Sequence, residues 1–113
     1  MHELSVVLGI VKIAEDETAK AKLSKVEMIE LEIGTLAGIE FDALDFVWSS
    51  AVKDSVLEHA EKRIDIIKGV GKCLDCDSEF ELENLYDSCP KCNSLIKGII
   101  KGKELRVKSL ECS

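Results

Sequence analysis

No stretch of this 113-residue chain holds the roughly 18 consecutive apolar residues that cross a bilayer. Its first residues also lack the basic flank and long apolar core of a secretory signal. A soluble cytoplasmic protein without membrane contact is therefore expected. Positive charge is scarce: 15 Lys and Arg against 22 Asp and Glu leave a net charge of -7. A phosphate backbone would be repelled by that balance rather than neutralised. Three Phe, one Trp and one Tyr offer little surface for stacking bases, so no nucleic-acid partner is expected. Proline occurs once, at Pro90, and histidine twice, at His2 and His59. No internal repeat or low-complexity tract is visible.

Cysteine is present in excess of what a reducing compartment uses for disulfides. Of the five, four form Cys73-x2-Cys76 and Cys89-x2-Cys92, and Cys112 stands apart near the carboxyl end. Each Cys-x2-Cys turn presents two sulfurs from one tight loop, and two such turns close a tetrahedral shell around one ion. Pro90 suits a preset turn at the second pair. The charged neighbours Lys72, Asp75, Asp77 and Lys91 argue against four thiols packed in an apolar core. A redox dithiol needs only one pair. Zinc and iron both accept four thiolates, and spacing does not separate a structural zinc from a rubredoxin-like electron carrier. A shell filled by cysteine leaves no position for water, which assigns the site to structure rather than catalysis.

At 46% hydrophobic the chain is sized for one small domain with a minor appendage. Leu4, Val7, Leu8, Val11 and Ala14 fall on one helical face over Leu4 to about Ala21. Ile29, Leu31 and Ile33 alternate with Glu30 and Glu32 as in a half-buried strand over Lys25–Ile33. The helical period returns through Phe41, Leu44, Val47, Trp48, Ala51 and Val52, predicting a second helix from Glu40 to Leu57. Arg63–Val70 and Glu104–Leu110 alternate as strands. The fold expected is α+β: two helices on a three-stranded sheet in residues 1–70 and 98–113, with an inserted four-cysteine zinc-ribbon-like domain at 71–97. So short an insert depends on its metal to fold.

His2 precedes the first helix. The Met1 amine, the amide and imidazole of His2 and the amide of Glu3 form a nitrogen-rich set close to one plane, which suits Ni(II) or Cu(II) better than zinc. The amine and the imidazole both release protons near neutral pH. The Irving–Williams order ranks copper above nickel, so the ligands alone do not choose between them. A solvated terminal imidazole is the competing reading. A cation there meets the positive end of the helix dipole unless Glu3, or Glu40 from the following loop, compensates. His59, near the end of the second helix, needs only solvent or the helix dipole to account for it.

Several stretches together resemble the HypA/HybF family of hydrogenase nickel incorporation proteins. They are "MHELSVV" at the start, "IGTLAGIE" and "ALDFVW" in the middle, "CLDC" with "CPKC", and "ELRVKSLE" at the end. The resemblance covers most of the chain in the family's order. It implies a nickel metallochaperone, not an enzyme, that passes Ni(II) as cargo to the large-subunit precursor of a [NiFe]-hydrogenase and works with a maturation GTPase. It further implies that His2 is the essential nickel ligand, that Glu3 assists, and that Cys73, Cys76, Cys89 and Cys92 hold structural Zn(II). Two departures stand out. No histidine lies beside the cysteines, and Asn93 stands where glycine commonly follows the last one. The sequence does not choose hydrogenase over another nickel enzyme such as urease. The alternatives are an iron electron carrier or a zinc-ribbon interaction module in which His2 is idle.

Overall fold

Apolar spacing at the helical period organises α1 (Glu3–Ala21), and the alternating run after it forms β1 (Val26–Gly34). The computed structural model describes residues 2–113. Among these, α2 (Phe41–Ala51), β2 (Glu61–Ile67), β3 (Gly69–Cys73), β4 (Glu79–Leu82), β5 (Lys97–Lys101) and β6 (Leu105–Cys112) follow in order. The strands form two three-stranded sheets, ordered β2-β1-β6 and β4-β3-β5. The fold is α+β. Two compact units result: one takes the chain up to Leu31, Ile39–Ile64 and Val107–Ser113, and the other takes Glu32–Gly38 and Asp65–Arg106.

In the first unit, Ile29 and Leu31 of β1, Leu44 and Trp48 of α2 and Val7, Ile10 and Ala14 of α1 are buried. Full burial of a large aliphatic side chain is worth roughly 1.5–3 kcal/mol. The stripe that α1 buries is Glu3, Val7, Ile10, Ala14 and Thr18, rotated from the one read in the sequence. Leu4 and Leu8 are left 51% and 50% exposed. Hydropathy misplaced the stripe because both of its ends are polar residues whose hydrogen bonds permit burial. Thr18 Oγ1 donates to the Ala14 carbonyl at 2.9 Å, and the Glu3 carboxylate accepts the Glu40 N–H at 3.1 Å.

α2 ends earlier than its periodicity suggests. Beyond Ala51 the chain turns, with Asp54 in the left-handed region at φ 63°. Ser55 Oγ donates to the Val52 carbonyl at 2.6 Å, which replaces a helical bond with a local side-chain one. Leu57 is fully buried all the same, so its apolarity reflects tertiary packing rather than helix.

In the second unit β3 pairs antiparallel with both β4 and β5. The segment read as one strand, Arg63–Val70, is divided at Lys68 between β2 and β3. β4 and β5 carry only weak alternation and are not among the strands the hydropathy pattern predicts. The base of this unit is a close backbone crossing. A Cβ on Gly34 would lie 1.9 Å from the Gly102 carbonyl oxygen, and the Leu36 N–H donates to that same oxygen at 2.7 Å. Gly102, at φ 116°, occupies a conformation that few other residues adopt.

Candidate metal centres

The cysteines of the two knuckles converge at one end of the β4-β3-β5 ribbon. Cys73 closes β3, and Cys76, Cys89 and Cys92 sit on the turns beyond. All four sulfurs lie within 4.8 Å of one another. Cys73 Sγ is 3.6 Å from Cys92 Sγ, and Cys76 Sγ is 3.6 Å from Cys89 Sγ. Disulfide sulfurs would be about 2.05 Å apart, whereas zinc–sulfur bonds of about 2.3 Å set tetrahedral edges near 3.8 Å. The spacing therefore fits a metal and not a bridge. Cys73 and Cys89 are buried, while Cys76 and Cys92 face solvent.

Hydrogen bonding also sets the two exposed thiols of this cluster apart. The Cys76 thiol is drawn down to about 6, first by the Ser78 side chain and then by its backbone. Cys92 is pushed up to about 12: the Ser94 backbone favours its thiolate, but hydrogen bonding with Cys73 and burial outweigh it. The two solvent-facing sulfurs thus shift in opposite directions, Cys76 toward the thiolate and Cys92 toward the thiol, because their hydrogen bonds favour different forms. A dication bound here would favour the thiolate form of each sulfur that ligates it.

Against the expectation of no internal repeat, the two knuckles form a short local one. Each reads Cys-x-x-Cys, then Asp77 or Asn93, then Ser78 or Ser94. Asp77 and Asn93 both lie in the left-handed region, at φ 62° and 61°. The first cysteine of each knuckle donates its N–H to the serine carbonyl, at 2.8 Å from Cys73 to Ser78 and 2.9 Å from Cys89 to Ser94. Asp and Asn are the side-chain-bearing residues that tolerate this backbone. Asn93 thus does what a glycine would do there, and the turn is intact. Asn93→Gly is expected to leave the Tm nearly unchanged, whereas Asn93→Val, with a β-branched side chain at positive φ, should cost about 1–2 kcal/mol. Thermal unfolding of the metal-loaded variants checks both.

The amino-terminal candidates lie in the other unit. His2 is exposed at the residue before α1, and its imidazole makes no capping hydrogen bond. Its carbonyl accepts the Val6 N–H and the Ser5 hydroxyl, both at 2.9 Å. Glu3 is 4% exposed, its carboxylate held by the Glu40 N–H at the start of α2. Residue 40 does approach Glu3, through its backbone. Met1, expected as an amine ligand, lies outside the described residues. His59 has its side chain 90% exposed, with Glu58 3.6 Å away. Cys112 is part-buried and outside the thiolate cluster. Among the described residues no helix is long and apolar enough to cross a membrane.

The family profile described as hydrogenase/urease nickel incorporation, metallochaperone, hypA, matches residues 1–112. The hydrogenase maturation factor HypA of Parabacteroides distasonis is 46% identical over 110 residues, covering 97% of this chain and 96% of that protein. That of Francisella philomiragia is 41% identical over 110 residues, covering 97% of each. The solution structure of the Ni metallochaperone HypA from Helicobacter pylori superposes with a TM-score of 0.70 at 29% identity, covering 99% of this chain and 97% of that one. Fold and site together define a small α+β metal-binding protein with a four-cysteine ribbon. The chain belongs to the HypA family of hydrogenase maturation factors and nickel metallochaperones.

Proposed function

We propose that this protein carries Ni(II) as cargo for hydrogenase maturation, binding it at the amino terminus through the Met1 amine, the His2 amide and imidazole, and Glu3. Cys73, Cys76, Cys89 and Cys92 hold a structural Zn(II) that keeps the 71–97 insert folded. The cargo passes to the large-subunit precursor of a [NiFe]-hydrogenase, with a maturation GTPase as working partner. The work is cytoplasmic, where thiols stay reduced and available to zinc. No substrate bond is made or broken.

The observation that carries this reading is a contrast in the donor sets. One chain has an exposed imidazole at its start and, in its other unit, a closed cluster of four sulfurs. A carrier must release what it binds. Exchangeable nitrogen ligands on the first turn of a helix, opposed by the helix dipole, suit release. Four thiolates around zinc suit retention.

Elemental analysis of the untagged protein, before and after addition of Ni(II), tests this assignment. The expected result is a colourless protein with about one zinc per chain that takes up nickel without losing the zinc. A red, iron-containing protein, or nickel that enters by displacing the zinc, would overturn it.

A further inference from the structure

The two knuckles share a backbone but differ in where their serines reach. Ser78 Oγ stays within its own knuckle, 3.3 Å from Cys76 Sγ. Ser94 Oγ crosses to the first knuckle and donates to Asp75 Oδ2 at 2.6 Å. Ser94 Oγ itself accepts the Ile96 N–H at 3.1 Å, and the Ile96 carbonyl accepts the Leu74 N–H at 3.1 Å. These three bonds join the two knuckles in a closed loop that contains no sulfur and no metal.

We propose that Asp75 and Ser94 form a clasp that positions the two cysteine pairs against each other and thereby sets how slowly the zinc is released. The proposal rests on the reading that the quartet holds zinc.

The physical argument concerns rebinding. Each knuckle brings two sulfurs on one rigid turn, so an ion leaves only after one pair has drawn away from the other. A tie that keeps the pairs together holds a detached sulfur at high effective concentration, and it recombines before a competing ligand enters. The tie is a short bond of a hydroxyl to a carboxylate, charge-assisted in kind but moderated by its exposure. The carboxylate is unsuited to a further role as ligand: its Oδ2 is engaged by Ser94, and the ion's shell is complete with four thiolates. Asp75 is therefore a positioning residue. It acts through the geometry of Cys73 and Cys76, which flank it in the chain.

The test is zinc transfer to an excess of a colorimetric chelator, measured for the full-length protein and for Asp75→Ala, Ser94→Ala, the double variant and Ser94→Thr. Each alanine variant should release zinc about tenfold faster, the low end of outer-shell effects because the pair is exposed. The double variant should be no faster than either single one, since one tie is lost in every case. Ser94→Thr, which keeps the hydroxyl, should stay near the parent rate. Cobalt(II)-substituted forms should show the same tetrahedral-thiolate absorption in all variants, which separates a loosened clasp from a lost ligand. Unchanged rates in the single variants would overturn the clasp, as would a double variant accelerated by the product of the two. A parent protein that binds no zinc would instead overturn the assignment of the metal, before any variant is compared.

Discussion

Stripping the metal with a strong chelator, or replacing Cys73 with serine, is expected to unfold the β4-β3-β5 ribbon. Few side chains there have anything else to pack against. Leu82, Cys73 and Cys89 are buried, whereas Leu74, Leu85, Tyr86, Leu95, Ile96 and Ile100 are 43–87% exposed. Two of the three buried groups are thus the proposed ligands themselves. A sheet of three strands with 4–5 residues each does not recover the conformational entropy of its own residues from so little burial. Zinc binding to such thiolate sites is worth about 10–16 kcal/mol at neutral pH, so a zinc held by this quartet would be the dominant source of stability in this segment. Serine at position 73 replaces a buried thiolate with a weaker ligand and breaks the shell. Amide hydrogen exchange in residues 69–101 should therefore rise to nearly unprotected rates, while Ile29 and Leu31 of β1 and Val7 and Ile10 of α1 keep theirs. Native protection in the ribbon after complete metal removal would show that the chain folds it without an ion.

The central strand and the cysteine cluster were both legible in the sequence. The alternation of Ile29, Leu31 and Ile33 with Glu30 and Glu32 placed β1, because a strand buried on one face writes its period directly into hydropathy. The two Cys-x2-Cys pairs placed the thiolate cluster, because ligand chemistry demands those residues at that spacing. Other features were hidden for identifiable reasons. Glu3 and Thr18 are polar yet buried, and their hydrogen bonds are tertiary or to the preceding turn, so the buried stripe of α1 was read along Leu4 and Leu8. The tail of the second helical pattern, through Leu57, was core without helix. β4 and β5 are too short and too polar on one face to stand out from a loop. The left-handed Asp77 and Asn93 carried a usable signal, since both precede serine after the second cysteine of a knuckle. The reach of Ser94 to Asp75 had no such signal: nothing in the spacing separates Ser94 from Ser78, and only the folded ribbon sets them apart.

Adding a single uncleaved residue ahead of Met1 should abolish nickel binding while leaving the fold and the zinc untouched. The proposed ligand set needs the chain's own amine next to the His2 imidazole, and an extension converts that amine into an amide and moves the imidazole away from the new terminus. The helix should be unaffected, because its first backbone bond begins at the His2 carbonyl, which accepts from Val6 and Ser5. His2→Ala removes the imidazole but keeps that carbonyl, so it too should spare the fold. Loss of one such ligand is expected to weaken Ni(II) binding by at least about 100-fold, equivalent to about 2.8 kcal/mol. Glu3 should behave differently. Its buried carboxylate holds the Glu40 N–H, and the nitrogen-rich ligand set proposed above draws on this residue through its backbone amide. Glu3→Gln, which retains an acceptor oxygen, should therefore bind nickel nearly as well as the parent, whereas Glu3→Ala should lower the Tm by freeing the start of α2. Calorimetric titration of Ni(II) into the parent, the extended form, His2→Ala and Glu3→Gln separates these roles. Undiminished binding by the extended form would remove the amine from the site, and undiminished binding by His2→Ala would remove the imidazole. A loss in Glu3→Gln as deep as that in His2→Ala would instead make the Glu3 carboxylate a ligand, reached only by giving up its bond to Glu40.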